Sequence, residues 1–317
     1  MTISVRGALL GLCMGLATAG TASAQMVGLA TTTGGATEQI AMHLAKILSE
    51  GTKLTIRPQV MANTSQYIPQ INQGRIELGI ANYPQYSHAV KGIGMSEGSA
   101  NPDLRMVATM IPFNAGLVVP VSTGVNSLSE LKGRTLPRFP PNSLGEFFIS
   151  ASLATVGLSY DDVKGLPTSN FGQQFNNVKE RLTELTIGSV GAQSIMDVEA
   201  SVGEVRYLSF KEGDDAILSK YLPGTSIKAW GDRAPAAGVT PDTMVLYYDY
   251  TLFTHKDTPD EVITAVIDAL YSNPDAVRTG GALWDEFDPK ALARVTELPF
   301  HPAAEAYYRE KGIWPTN

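Results

Sequence analysis

The chain reads as an α/β protein in two lobes, with parallel-rich sheets and flanking helices. Three observations predict this. Short apolar runs alternate with segments of helical period along most of the length, the pattern of parallel strands joined by crossover helices. Two strand–turn–helix units, Val27 to Glu50 and Arg134 to Val156, repeat one architecture far apart in the chain. The 317 residues, 44% of them hydrophobic, suffice for two cores.

The first 24 residues stand apart from that fold. Arg6, the apolar run Ala8 to Ala17 and the small-residue site Ala22-Ser23-Ala24 have the form of a cleaved export signal, so the mature chain is expected to begin at Gln25. The run is too short to cross a bilayer. The single cysteine, Cys13, lies within it and follows Leu12, where a lipoprotein signal carries a small residue. The mature chain therefore has no disulfide and no thiol chemistry. The formal net charge of −7, one unit more negative without Arg6, argues against a nucleic-acid partner.

In order, Val27–Ala30 is a strand, and Ile40, Leu44, Ile47 and Leu48 form the buried stripe of a helix that Gly51 stops. Lys53–Val60 predicts a second strand and Tyr67, Ile68 and Ile71 a second helix. Ile76–Ala81 is a short buried strand. Residues 91–103, rich in Gly and Ser, predict a mobile loop. Leu104–Ile111 and Ala115–Val121 read as two strands joined by Pro112-Phe113-Asn114. Ser127/Glu130 and Ser143/Glu146 are spaced as capping boxes, the second opening the helix Phe147–Val156. Phe171–Leu185 predicts a helix, Thr186–Val190 a strand, then a helix and the strand Val205–Phe210. Residues 211–242 predict irregular chain. Thr243–Thr254 is a long strand. Thr258-Pro259-Asp260-Glu261 starts a helix whose stripe is Val262, Ala265, Val266, Ala269 and Leu270. Helices flank Leu298–Pro302 near the end.

The opening turn organises the candidate site. Thr32, Thr33, Gly34, Gly35, Ala36 and Thr37 join a strand to a helix. The glycines lack Cβ atoms, so a ligand can approach the backbone, and the helix's first N–H groups face that space. Two readings stand on these residues: a receiver for an anion or carbonyl oxygen, and a tight βα turn. Asn82 and Tyr83 follow a strand's C-terminal end, where open α/β sheets bind ligands; they also fit a capped turn with a gap-filling ring. Asn142 and Ser143 open the second-lobe helix, where Ser143 is an N-cap as well as a candidate contact. Gln193 follows a strand as Asn82 does. Tyr250 shares a strand face with Tyr248 and either walls a cleft or packs a hinge.

Catalytic motifs do not gather. Gly94-Met95-Ser96-Glu97-Gly98 matches G-x-S-x-G, but no buried strand feeds it and Asn101-Pro102 follows. His43, His88, His255 and His301 are scattered without metal-ligand spacing. The expectation is a protein that is not an enzyme and holds neither metal nor cofactor.

At this point the order of motifs resembles the TAXI-type solute receptors of TRAP transporters. Leu298-Pro299-Phe300-His301-Pro302-Ala303-Ala304-Glu305-Ala306-Tyr307-Tyr308-Arg309-Glu310-Lys311-Gly312 is similar to that family's terminal P-x-H-P-G-A…Y-Y-x-E-x-G, with Ala303 at the usual Gly. Gly74–Ile80 is similar to G-x-x-D-L-G-I, Ser127–Arg134 to S-L-x-D-L-K-G-K, and Thr33-Gly34-Gly35 to the opening T-G-G. The resemblance implies a two-lobed periplasmic binding protein fold of type II with a hinge between lobes. Lobe one would be residues 25–118 and 252–317, and lobe two 119–251. It implies a periplasmic receptor that binds a small solute, such as an organic acid, dicarboxylate, amino acid or aromatic acid, and passes it to TRAP membrane subunits. A ligand-sensing protein that signals to a membrane partner is the alternative. The second-lobe turn Pro140-Pro141-Asn142-Ser143-Leu144-Gly145 departs from the family's Gly- and Ser-rich turn. Arg181–Leu185 lacks the Gly of its second G-x-x-D-A, and Tyr247-Tyr248-Asp249-Tyr250 is unusually aromatic. These departures put the usual acidic substrates in doubt.

Overall fold

A computed structural model describes residues 25–294 and 297–315. The expected export signal, residues 1–24, lies outside the described residues. The chain opens with β1 (Gln25–Thr32), α1 (Gly35–Gly51), β2 (Leu54–Met61), α2 (Thr64–Asn72), β3 (Leu78–Asn82) and α3 (Tyr83–Lys91). The long strand β4 (Leu104–Pro120) leads to β5 (Thr135–Arg138), α4 (Leu144–Ala154), β6 (Lys164–Pro167), α5 (Phe171–Lys179), β7 (Thr186–Ser189) and α6 (Gln193–Val202). Then come β8 (Val205–Tyr207), α7 (Asp215–Tyr221), β9 (Ser226–Ala229), β10 (Met244–His255), α8 (Asp260–Ser272), α9 (Pro274–Arg278) and α10 (Pro302–Glu310).

The main sheet runs β2-β1-β3-β10-β4-β7, with β8 on β4 and β9 on β10. The pairs β1–β2, β1–β3 and β5–β6 are parallel, whereas β10 and β4 run antiparallel to their neighbours. Helix α1 shows how the core forms: Ile40, Leu44 and Leu48 recur on one face and are at most 1% exposed. Each such side chain contributes about 1.5–3 kcal/mol by leaving water.

Several expectations are corrected. The two strands expected at 104–111 and 115–121 are one, β4, running straight through Pro112. Asn114 turns its carbonyl away from β10 to accept from Val190 N–H at 2.9 Å. Pro112, two residues earlier, has the same orientation, so its missing N–H costs no bond to β10. The helix expected at 171–185 stops at Lys179, because Arg181 adopts the left-handed conformation at φ 59°. The irregular stretch 211–242 contains α7 and β9. Strand β6 was not expected; its Gly and Pro mask a short edge strand that pairs, among the described residues, with β5 alone. The mobile loop expected at 91–103 holds a single 3-10 turn, Gly94–Ser96, tied by Met95 N–H to His88 Nδ1 at 3.1 Å. It follows a helix, so Ser96 is on no nucleophile elbow.

The capping boxes form differently as well. Ser127 donates to the Glu130 carboxylate at 3.1 Å and opens only a 3-10 turn. Ser143 accepts from Glu146 N–H at 3.4 Å, but Glu146 reaches back to Asn142 N–H rather than to Ser143. The terminal motif docks α10 on β4. His301 caps the helix through Nδ1 to Ala303 N–H at 3.3 Å, and Tyr308 donates to Val107 C=O at 2.8 Å. Among the described residues no cluster of His, Cys, Asp and Glu fits a metal ion.

Candidate functional site

Six strands run directly into six helices: β1 into α1, β2 into α2, β3 into α3, β5 into α4, β6 into α5 and β7 into α6. A βα turn places the helix N-terminus at the carboxyl end of its strand, and all six N-terminal segments line one cavity. Its volume is about 60 Å³, several times the ~10–15 Å³ that one water needs on the same measure. None of the described residues that line it carries a formal charge. The positive ends of the helices contribute to its potential, beside the Glu38 and Glu146 carboxylates in the first turns of α1 and α4.

The opening turn supplies Thr32, Gly34, Gly35, Ala36 and Thr37 to the wall. Thr32 is 6% exposed, and its Oγ1 has no hydrogen-bond partner among the described residues. The Tyr250 hydroxyl donates to Thr37 Oγ1 at 2.6 Å. Burial raises the Tyr248 and Tyr250 phenols well above their ordinary range, so both stay neutral. Asn82 caps α3 through Gln85 N–H at 3.1 Å and donates from Nδ2 to Gln85 Oε1 at 2.8 Å; Gln85 Nε2 in turn donates to Thr64 Oγ1.

The glycines have a further role. A Cβ at Gly34, where φ is +76°, would lie 2.8 Å from Gly172 Cα, and one at Gly35 would lie 3.4 Å from a Phe175 ring carbon. Their bareness lets the first turn of α5 close over the first turn of α1, in addition to any ligand approach. Gly34 N–H is also already bonded, to Glu38 Oε2 at 2.6 Å.

Of the residues proposed from sequence, Thr32, Gly34, Gly35, Ala36, Thr37, Asn82, Ser143 and Tyr250 meet around this cavity. The others do not line it. Thr33 is exposed and donates to Met61 C=O. Tyr83 packs toward Gly224 and lines a separate surface hollow with Asp249 and Lys91. Asn142 is an exposed turn residue at φ 63°, and Gln193 is exposed with its N–H on Gln39 Oε1 at 3.1 Å. Each follows a strand as expected, but faces outward from its turn. Missed from sequence were Asn63, Thr64 and Gln85, and Ser169, Asn170 and Phe171 at α5. A signal existed: Asn63/Gln66, Asn82/Gln85 and Asn170/Gln173 share one N-x-x-Q spacing. In two of them the Gln takes the N–H just before the cap, from Ala62 at 2.9 Å and from Ser169 at 2.7 Å.

This architecture is that of periplasmic binding proteins. The periplasmic binding protein BugD superposes with a TM-score of 0.58 at 12% identity, covering 92% of this chain and 99% of that one. MatC from Rhodopseudomonas palustris, solved with bound malate, gives 0.55 at 14% identity over 91% and 98% of the two chains. PhnD1 from Prochlorococcus marinus, solved with methylphosphonate, gives 0.53 at 11% identity over 91% and 99%. The model of the NMT1-like family matches residues 29–312, and the chain belongs to that family.

Proposed function

We propose that this protein captures a small organic anion in the cavity and delivers it to a TRAP-type secondary transporter, as a TAXI-type receptor would. The observation that carries the reading is the convergence of six helix N-termini on one cavity with no charged residue in its described lining. Each terminus contributes about 0.3–1 kcal/mol toward an anion. Micromolar binding corresponds to about −8 kcal/mol, and hydroxyl and backbone donors supply the remainder. The buried, unpartnered Thr32 hydroxyl is a second pointer to a ligand at this place.

The bound malate of MatC and methylphosphonate of PhnD1 are anions of the proposed class. The protein would work in the periplasm after losing residues 1–24. Its lobes would be residues 25–118 with 252–317, and 119–251, hinged through the paired strands β4 and β10. Melting of the mature chain with organic acids, phosphonates and their neutral amides tests the reading. A native-state ligand raises the midpoint, by about 2.7 kcal/mol of stability at a hundredfold excess over Kd. Stabilisation by anions and not by amides is expected; no response to any anion refutes it.

A further inference from the structure

Resting on the reading of anion capture, we infer that Ser194 is a ligand-contacting residue, the counterpart of Thr32 on the far wall, and that one bound oxyanion lies between the two hydroxyls. Other polar side chains around the cavity already have partners inside the protein. Thr37 Oγ1 accepts from Tyr250 at 2.6 Å, Thr64 Oγ1 accepts from Gln85, and Asn82 Nδ2 donates to Gln85 at 2.8 Å. Ser143 donates to Pro140 C=O at 2.7 Å and accepts from Glu146 N–H. Among the described residues that line the cavity, two buried side-chain polar atoms have no hydrogen-bond partner: Thr32 Oγ1 and Ser194 Oγ. A buried hydroxyl left unpaired costs stability, and a ligand that bonds to it removes that cost.

The two hydroxyls come from opposite halves of the main sheet. Thr32 ends β1, which pairs with β2 and β3. Ser194 is the second residue of α6, and β7 ahead of that helix pairs with the far half of β4, at Ala115–Val118. Around Ser194 the backbone donors of α6 are engaged. Gln193 N–H is held by Gln39 Oε1 of α1 at 3.1 Å, and Ile195 N–H by Ala192 C=O at 3.1 Å. The bond from Gln193 also ties the start of α6 to α1, which holds Ser194 at the cavity wall. The sequence singled out Gln193, but the residue of α6 that lines the space is the next one. Each free hydroxyl has a proton to donate. A carboxylate, phosphonate or sulfonate has at least two acceptor oxygens, so one molecule of this class can take a charge-assisted hydrogen bond from each wall.

Calorimetric titration of the chain from Gln25 onward, and of its Ser194→Ala and Thr32→Val variants, tests this. The probe is the tightest-binding of malate, methylphosphonate, pentanoate and pentanedioate, and the melting midpoint of each unliganded protein is measured on the same samples. Ser194→Ala should lose at least fivefold in affinity, with an unliganded midpoint as high as before or higher. A smaller loss overturns the contact; if Thr32→Val is weakened in the same titrations, anion capture stands on the β1 wall alone. A midpoint several degrees lower in Ser194→Ala marks a hydroxyl that supports the fold, and overturns the inference as well. If the unmodified chain binds none of the four probes, this contact and anion capture fall together.

Discussion

Thr32→Val separates a ligand-directed hydroxyl from a structural one. The change is nearly isosteric and removes a single polar atom. That atom is buried at the carboxyl end of β1 and has no partner among the described residues. An unpaired buried hydroxyl costs about 1–3 kcal/mol. Removing it should leave the unliganded protein as stable as before or more stable, by up to about 1 kcal/mol, or roughly 2–4 °C for a chain of this size. Binding should move the other way. A hydrogen bond to a charged acceptor contributes about 1.5–3 kcal/mol, so affinity should fall by about 10- to 150-fold. Scanning calorimetry of the unliganded protein and titration with the stabilising anion measure the two effects on one sample. Unchanged affinity would refute the contact. A melting point several degrees lower would show that the hydroxyl supports the fold, because a ligand-directed group has no such effect before the ligand arrives.

Other outcomes follow from the same structure. Gly34→Ala places a Cβ 2.8 Å from Gly172 Cα and strains a φ of +76°; it should weaken binding at least tenfold and leave a larger radius of gyration in the presence of ligand, read by small-angle scattering. Burial lowers the pKa of His301 and of His88 below the usual histidine value. The unfolded chain then binds more protons, so stability should be fully present above about pH 6.5 and decline as pH falls below it. His301→Asn, which retains a capping oxygen, should flatten part of that slope in thermal melts; an unchanged slope would remove His301 from the account. Intact mass of the protein recovered from a periplasmic fraction should begin at Gln25; a chain starting at Met1 or lipidated at Cys13 would reject the cleavage site.

Local periodicity made much of this legible. Ile40, Leu44, Ile47 and Leu48 defined α1, and the Thr33-Gly34-Gly35 turn pointed to the cavity, because a helix after a strand exposes its first N–H groups at a known end. The order of short motifs points to a solute-receptor fold of the periplasmic type. Strand β4 was misread at Pro112 because whether a proline breaks a strand depends on which side its nitrogen faces. Tyr83 and Gln193, the first residues of α3 and α6, and Asn142 in its turn do not line the cavity, since one residue of backbone geometry reverses a side chain's direction.

By itself the sequence determined the α/β class, the opening turn and the expectation of an exported chain, all properties carried by contiguous residues. Only the tertiary structure decided that six helix N-termini share one cavity, that Tyr250 spends its proton on Thr37, and that Gly34 lies against Gly172. These are pairings between residues far apart in the chain. Their chemistry depends on distances of a few ångströms set by how β4 and β10 hold the two halves of the sheet side by side, and no local pattern encodes those distances.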